Sequence, residues 1–380
     1  MPSDAVNTSV EGLNVLAAQT VHLLQQLEPV LLQINSGKDT PESTIDQAAS
    51  QIDALALARD SATLIRAHST KISVLIINEP FTPSAIIKVL RELVGSAIQG
   101  IASAAQTCTA ERYTSTVRKD LAWKSYTVLK ELRELIQKIP KDGKILTGDK
   151  KTGAASKAGK GSIVATGTLW AACDEVTRFC NAGVGGCFIN KVEEFRATLK
   201  DVMEELKEWG DEVPEDEDDD EDDEAGDAED NDSGLGSMMP SAQEMVDDIM
   251  GAQQTIPRDD PDKIRERLDS CLKRLRLTTL LYQAIVKRRL KILPSFPTDP
   301  SLHIPQRLDN VMELLRKLPN QFDELAGAFY ELDPDEIDNA MDQCFVGVRT
   351  ISDHMSKPWA ADRDEFSDWA EKFQEQIKKS

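Results

Sequence analysis

The sequence has few aromatic residues and no paired cysteine motif. Phe, Trp and Tyr make up 5% of its 380 residues, which is too few for a sandwich or barrel built on aromatic strands. None of the six cysteines forms a CxxC pair, the spacing that redox and zinc sites commonly use. Because the first residues, MPSDAVNTSV, also lack an apolar signal core, we expect a reducing, intracellular environment.

Long apolar runs are missing as well. No stretch approaches the roughly 20 apolar residues that a membrane-spanning helix needs, and neither end carries a lipidation motif. We therefore expect no insertion into a membrane.

Positive charge is absent from one segment of the chain. Residues 211–232 contain 16 Asp and Glu and no Lys or Arg, so that 50 acids face 44 bases in the rest of a chain with net charge -22. This composition buries too little apolar surface to offset the entropy of ordering, which predicts a disordered acidic linker over residues 211–240. Its densest part is the uninterrupted acidic run from Glu215 to Glu224, which includes the candidate residues Glu215, Asp218, Asp219, Asp220, Glu221, Asp222, Asp223 and Glu224.

Helical periodicity dominates what remains. Apolar residues recur at steps of three and four in segment after segment, and no segment alternates as a half-buried strand would for more than a few residues. The fold class predicted is all-α. The helices predicted lie near residues 13–30, 40–77, 82–105, 111–139, 163–206, 260–289, 308–329, 333–355 and 366–377.

The length accommodates two domains, one on each side of the linker. Residues 1–210 are predicted to form a five-helix antiparallel bundle, with a flexible Lys/Gly-rich loop at residues 141–161. The fifth helix should loosen between Asn181 and Gly186, where glycines cluster. Residues 241–380 are predicted to form a second helical region, in which Asp333 caps a helix that begins at Pro334.

Two helices after the linker are candidates for protein binding. One carries the cleanest apolar register in the chain, which would suit a helix-in-groove contact; core packing is the alternative. Its candidate residues are Leu308, Val311, Leu315, Leu318, Phe322 and Leu325. The other helix is strongly basic, with Arg274, Arg288 and Arg289 as candidates, and a solvated outer face or a nuclear-import signal is the alternative. Because the acidic linker directly precedes this basic helix, we hypothesise that the linker lies over it.

No catalytic motif is visible. The four histidines are scattered, and neither HExxH nor GxSxG occurs. Three cysteines, Cys173, Cys180 and Cys187, recur every seven residues, but no histidine completes a tetrahedral metal site, so buried small side chains are favoured over ligands. We predict a non-enzymatic protein without metal or cofactor. A basic footprint suited to phosphates is also missing overall, so no direct nucleic-acid binding is expected.

Several segments in their order along the chain resemble one family. They are ISVLIINEPFTP (72–83), GTLWAACDEV (167–176), the acidic linker, SCLKRLRL (270–277) and LDNVMELLRKLPNQFDELAGAFYELDP (308–334). In these the chain resembles the cyclin-D-binding family, also described as cyclin-D-interacting or maternal Id-like proteins.

The resemblance implies an all-helical fold with an N-terminal bundle similar to those of vinculin-like adhesion proteins. It also implies a regulator of cell-cycle progression and transcription, found in nucleus and cytoplasm, with D-type cyclins and helix-loop-helix transcription factors as partners. Two other functions remain open at this point: an acidic scaffold or chaperone for basic proteins, and an adhesion-type helical scaffold. Loss of all partners on removal of residues 211–232 would favour the chaperone.

Overall fold

The computed structural model describes residues 2–37, 52–146, 148, 161–212, 255–298, 303–359 and 362–379. Within these ranges every regular element is helical, which confirms the predicted all-α class. The helices are α1 Pro2–Asn35, α2 Ala54–Ile77, α3 Pro83–Glu92, α4 Ile98–Thr107, α5 Ser115–Gln137, α6 Ser162–Asp211, α7 Ile264–Arg288, α8 Ile304–Tyr330, α9 Pro334–Ser356 and α10 Glu365–Lys379. A π-helical turn joins α3 to α4. In this described part of the chain, no helix combines the length and the apolar character that crossing a membrane requires.

Two helix starts show how side chains satisfy the free amides of a first turn. Asp333 accepts hydrogen bonds from the backbone N–H groups of Asp335 at 3.0 Å and Glu336 at 3.1 Å, which confirms the predicted cap of α9. Asp53 caps α2 in the same way. The helix that we predicted over residues 40–77 therefore begins later, at Ala54, because Asp53 caps it there; residues 40–51 lie outside the described residues.

Helix α6 changes direction at Gly183. Its backbone there has φ 63° and ψ -176°, a conformation outside the helical region that glycine reaches without the steric cost of a Cβ. This confirms the predicted loosening between Asn181 and Gly186.

The first compact unit consists of Met1–Lys191 together with Leu290–Met312. In it α1 packs along α5 and α3, and α2 packs along α4, which makes a helical bundle. Its core contains the fully buried residues Leu13, Ile65, Ile72, Leu121, Val128 and Leu169. The more specific arrangement of five antiparallel helices stays a prediction.

A residue from far along the chain caps a helix of this unit. The Asp309 carboxylate accepts hydrogen bonds from the N–H groups of Ser115 at 2.5 Å and Thr116 at 3.0 Å, and from the Thr116 hydroxyl at 2.8 Å. These amides open α5, where a negative charge is stabilised by the helix dipole. The segment after α7 is held nearby, since the Thr298 N–H donates to the Arg112 carbonyl at 3.1 Å.

The first residues of the predicted flexible loop at 141–161 are held in the same unit. The Asn14 amide donates to the Lys141 carbonyl at 3.1 Å, and the Leu146 N–H donates to the Ile76 carbonyl at 2.8 Å. Leu146 is buried. Residues 141–146 thus contact the bundle, while the predicted flexibility of the loop stays a prediction, and its remainder lies almost entirely outside the described residues.

The second compact unit consists of Val192–Arg289 together with Glu313–Ser380. In it α9 packs against α7 and α10, and α10 also packs against α7. Its core includes Cys271, Leu275, Tyr282, Phe322, Phe345 and Val348. Residues 213–240 of the predicted linker lie outside the described residues, and the predicted division at 210 and 241 stays a prediction.

Candidate protein-interaction surfaces

The apolar register of α8 lies in the core. All six residues that we predicted as binding candidates are buried, with exposed fractions of 0–1%. The ring of Phe322 meets that of Phe345 edge-on at 5.6 Å, and the Tyr282 hydroxyl donates to the Leu315 carbonyl at 2.8 Å. The six are Leu308, Val311, Leu315, Leu318, Phe322 and Leu325. As exposed anchors they are ruled out, because the most regular apolar stripe is the one that folding buries most completely; a partner would have to unpack the core to reach them.

The three predicted arginines of the basic helix lie in different environments. Arg288 is exposed, with its guanidinium 3.9 Å from the Glu365 carboxylate. Arg274 is half-buried and its guanidinium carbon lies 3.6 Å from the centroid of the Phe345 ring, which is a cation–π contact. Burial lowers the pKa of Arg274. Of the three, only Arg288 has an exposed guanidinium and no contact with an aromatic ring among the described residues.

Arg289 is entirely buried, which corrects its prediction as a binding residue. Its guanidinium donates to both carboxylate oxygens of Asp364, at 2.7 and 2.9 Å, and to the carbonyls of Met355 and Ser356, each at 2.7 Å. The ring of Phe366 lies 4.4 Å away. A buried charge needs partners of this kind, and here they tie the end of α7 to the end of α9 and the start of α10. The Arg289 guanidinium holds the pKa of Asp364 far below its usual range.

This pair predicts a pH dependence of stability. The pKa of Asp364 is lower in the folded chain than its ordinary value of about 3.9. The ionised carboxylate therefore stabilises the fold fully above pH about 3.9, and this stabilisation is lost as the pH falls through the folded pKa. Asp364→Asn removes the contribution. The difference in urea midpoint between wild type and Asp364→Asn should therefore be widest near neutral pH and narrow below about pH 4. Glu365→Gln, at a side chain 91% exposed, is the matched control and should show no such difference; a gap that is constant with pH would contradict the prediction.

The densest acidic residues, from Glu215 to Glu224, lie outside the described residues. The hypothesis that they lie over the basic helix stays a hypothesis.

The cysteines of α6 are not activated thiols. Burial raises the pKa of Cys173, Cys180 and Cys187 to about 12, so the thiols remain protonated near neutral pH. In the ranges that the structure describes, no group of three or more His, Cys, Asp and Glu is placed to hold a metal ion. Cys173 and Cys187 are buried, as predicted, whereas Cys180 is only partly buried.

A groove that was not predicted from the sequence lies on the outer side of the α2–α3 hairpin. Residues 78–82 join these helices, and the His68 Nδ1 atom lies 3.5 Å from a Glu92 carboxylate oxygen. Since His68 precedes the turn by about as many residues as Glu92 follows it, the helices run antiparallel and side by side. The groove has a volume of about 470 Å³ and is lined by Thr70, Lys71, Val74, Leu75, Ala85, Lys88, Val89 and Glu92.

The floor of this α2–α3 groove is apolar and its walls are basic. The side chain of Val74 is 49% exposed, and Leu75, Ala85 and Val89 extend its apolar surface along the groove. Lys71 of α2 and Lys88 of α3 are both exposed, and in the described part of the chain neither has an ion-pair partner.

Glu92 closes one end of the α2–α3 groove. Burial, together with the charge of Lys71, lowers the pKa of His68 beside it, so the imidazole is neutral near pH 7. Two lysines and one carboxylate then leave the groove with a net positive charge.

A faint signal for this groove exists in the sequence. The inward residues Ile72 and Ile76 flank Val74, which by helical geometry lies roughly 200° around α2 from each of them. A second apolar residue on the outer face of a helix is uninformative alone, since single exposed apolar residues are common. Only the position of α3 beside α2 shows that Ala85 and Val89 extend the apolar surface of Val74.

Comparison with known proteins supports the resemblance found in the sequence. Residues 58–212 match the family model described as Grap2 and cyclin-D-interacting, N-terminal. An uncharacterised protein of the yeast Schizosaccharomyces pombe is 23% identical over 330 residues, which cover 84% of this chain and 84% of that protein. The suspected family is thus supported by the matched range, which includes α3, α4, α5 and the residues that line the α2–α3 groove.

Proposed function

We propose that this chain, with its match to the cyclin-D-interacting N-terminal domain, is a non-enzymatic regulatory protein that binds partner proteins through its helical surfaces. The match over residues 58–212 carries the proposal. The all-α fold is consistent with it, because helical bundles bind partner helices through grooves between neighbouring helices.

The partners proposed are D-type cyclins or cyclin-like proteins and helix-loop-helix factors, and the role proposed is restraint of cell-cycle progression and control of transcription. The protein is proposed to act in nucleus and cytoplasm. The burial of Arg289 and of the α8 register leaves the exposed helical surfaces, among them the α2–α3 groove, as the places to look for contacts, since buried groups are not available to a partner.

Affinity capture of the tagged full chain from its own cells, with mass spectrometry of what co-purifies, tests this proposal. We expect a cyclin or a helix-loop-helix protein among the captured proteins. Purified candidates are then tested by isothermal titration calorimetry, where regulatory complexes commonly show Kd values of about 1 μM, or −8 kcal/mol. Captured sets that contain neither class in repeated experiments would contradict the proposed partners.

A deletion separates this function from that of an acidic chaperone. Removing residues 213–232 spares the last turn of α6 and eliminates 14 of the 16 Asp and Glu of the acidic segment 211–232. Partner binding should survive the deletion if helical surfaces bind. If binding of every partner, and of histone-like basic proteins in particular, depends on the deleted segment, the acidic chaperone is the better explanation.

A further inference from the structure

The geometry of the α2–α3 groove points to a specific occupant: we propose that it binds an amphipathic helix of a partner protein whose apolar stripe is flanked by Asp or Glu. The inference deepens the proposed function by giving it a binding site and a partner chemistry, and it rests on that function only for the identity of the partner. The occupant is inferred from the shape of the groove and from the charge of its walls.

The dimensions of the groove suit two turns of helix. On α3 the lining runs from Ala85 to Glu92, which at 1.5 Å per residue is roughly 10.5 Å. A helix that presents anchors at positions i, i+4 and i+7 spans the same roughly 10.5 Å. The groove volume of about 470 Å³ lies within the range found for ligand-binding clefts in proteins, and it accommodates a few aliphatic side chains.

The floor supplies a continuous apolar contact. Val74 and Leu75 come from α2 and Ala85 and Val89 from α3, so that both helices contribute neighbouring apolar atoms. The methylene stems of Lys71 and Lys88 extend this surface up the walls, while their charged ends remain in water. An aliphatic side chain inserted between the helices would therefore be surrounded on both sides.

The charges select for an acidic helix. One lysine stands on each wall, and neither is neutralised by a carboxylate within the described residues. A helix that lays its apolar stripe on the floor turns its two flanks toward these walls. Carboxylates on the flanks would then meet Lys71 and Lys88, whereas a basic helix would meet like charges, which costs affinity and slows association.

A direct binding experiment uses the full chain and a designed probe. The probe is a fluorescein-labelled, end-blocked peptide of about 15 residues, a length at which helices become marginally stable in water. It carries Leu at steps of three and four and Glu at the flanking positions. One control peptide has Lys in place of every Glu, and a second has Ser in place of every Leu. Fluorescence polarisation is recorded at low salt, near about 50 mM, and at high salt, near about 500 mM.

The acidic peptide should bind the wild-type chain saturably, more weakly at high salt, and more tightly than the Ser control peptide. Because the acidic residues 211–232 attract any basic peptide, the Lys peptide is compared only between the groove variants and the wild type. Val74→Asp should weaken its binding at least about tenfold, because it places a charge on the apolar floor. The double variant Lys71→Glu, Lys88→Glu should weaken binding of the acidic peptide by about tenfold or more and bind the Lys peptide better than wild type does.

Matched variants outside the groove control for general effects. Val346→Asp makes the same change at a valine 59% exposed on α9, and Lys372→Glu makes the same change at an exposed lysine on α10. Both should bind the acidic peptide as wild type does. Thermal unfolding followed by circular dichroism verifies that each variant is folded, and Val74→Ser serves as a milder substitution if Val74→Asp is not.

Three outcomes would overturn the proposal. They are equal binding of the acidic peptide by the groove variants and the wild type, equal binding of the Lys peptide by the double variant and the wild type at low salt, and concentration-dependent self-association that Val74→Asp abolishes, which would make a second copy the occupant. Failure here leaves the partner capture unaffected, because a cyclin or transcription factor could bind elsewhere. Conversely, peptide binding without a captured cyclin or helix-loop-helix factor would leave the site in place and remove only the proposed partners.

Discussion

Replacement of Arg289 by alanine should lower the free energy of unfolding by about 2–4 kcal/mol, because it leaves two backbone carbonyls and the Asp364 carboxylate, whose side chain is 34% exposed, without their partner. The guanidinium is fully buried and satisfies Asp364 and two backbone carbonyls at once. Removing it strands those carbonyls, and a buried acceptor without a donor costs about 1–3 kcal/mol. Arg289→Lys should also be destabilising, since one ammonium group cannot reproduce the paired contacts of the planar guanidinium.

The neighbouring arginine provides the control. Arg288→Ala removes the same side chain at a position that is 63% exposed, and should change stability by no more than about 0.5 kcal/mol. Urea unfolding followed by circular dichroism gives the free energies. Hydrogen exchange with mass spectrometry then locates the loss, which should fall on residues 334–379, where Arg289 makes its contacts. Equal effects of the two substitutions would show that the buried network contributes little.

Phe322→Ala should be at least as damaging, at about 3–5 kcal/mol, because it opens a cavity in a packed core. The Phe322 side chain is 0% exposed and its ring packs edge-on against Phe345. This experiment distinguishes the two interpretations of the α8 register. If these residues form the core, stability falls; if they were binding anchors, partner binding would fall while stability remained unchanged.

Two further variants make the distinction sharp. Val346→Ala truncates an apolar side chain that is 59% exposed and should leave stability within about 0.5 kcal/mol of wild type. Phe322→Leu keeps most of the buried volume, so the chain remains folded and its binding to captured partners can be measured. Loss of partner binding by folded Phe322→Leu, with little change in stability, would restore the role in binding that the burial of Phe322 argues against.

Periodicity and capping chemistry predicted the helices well, because both depend on residues close together in the chain. The cap of α9 is an example: Asp333 and Pro334 are adjacent, and the amides that Asp333 binds follow within three residues. The break in α6 was equally local, since the glycine that permits it lies within the helix itself. Such features need no knowledge of what packs against them.

The burial of the arginines in α7 could not be predicted from neighbouring residues in the sequence. Arg288 and Arg289 are adjacent and chemically identical, yet one is 63% exposed and the other is fully buried. The difference arises from Asp364, 75 residues further along the chain, which reaches only one of them. The α2–α3 groove escaped prediction for a related reason: Val74 is an ordinary surface valine until α3 is placed beside it.

The segment Leu290–Met312, with the Asp309 cap that it supplies to α5, has a consequence for biosynthesis. The ribosome delivers residues 1–191 well before residue 312, so the first unit waits for 121 further residues before its last piece is complete. Contacts of such sequence separation are slow to form, and nascent chains expose unpaired surface meanwhile. A stop codon within residues 213–254 would likewise leave the first unit incomplete, because the part of the chain that is not made includes Asp309.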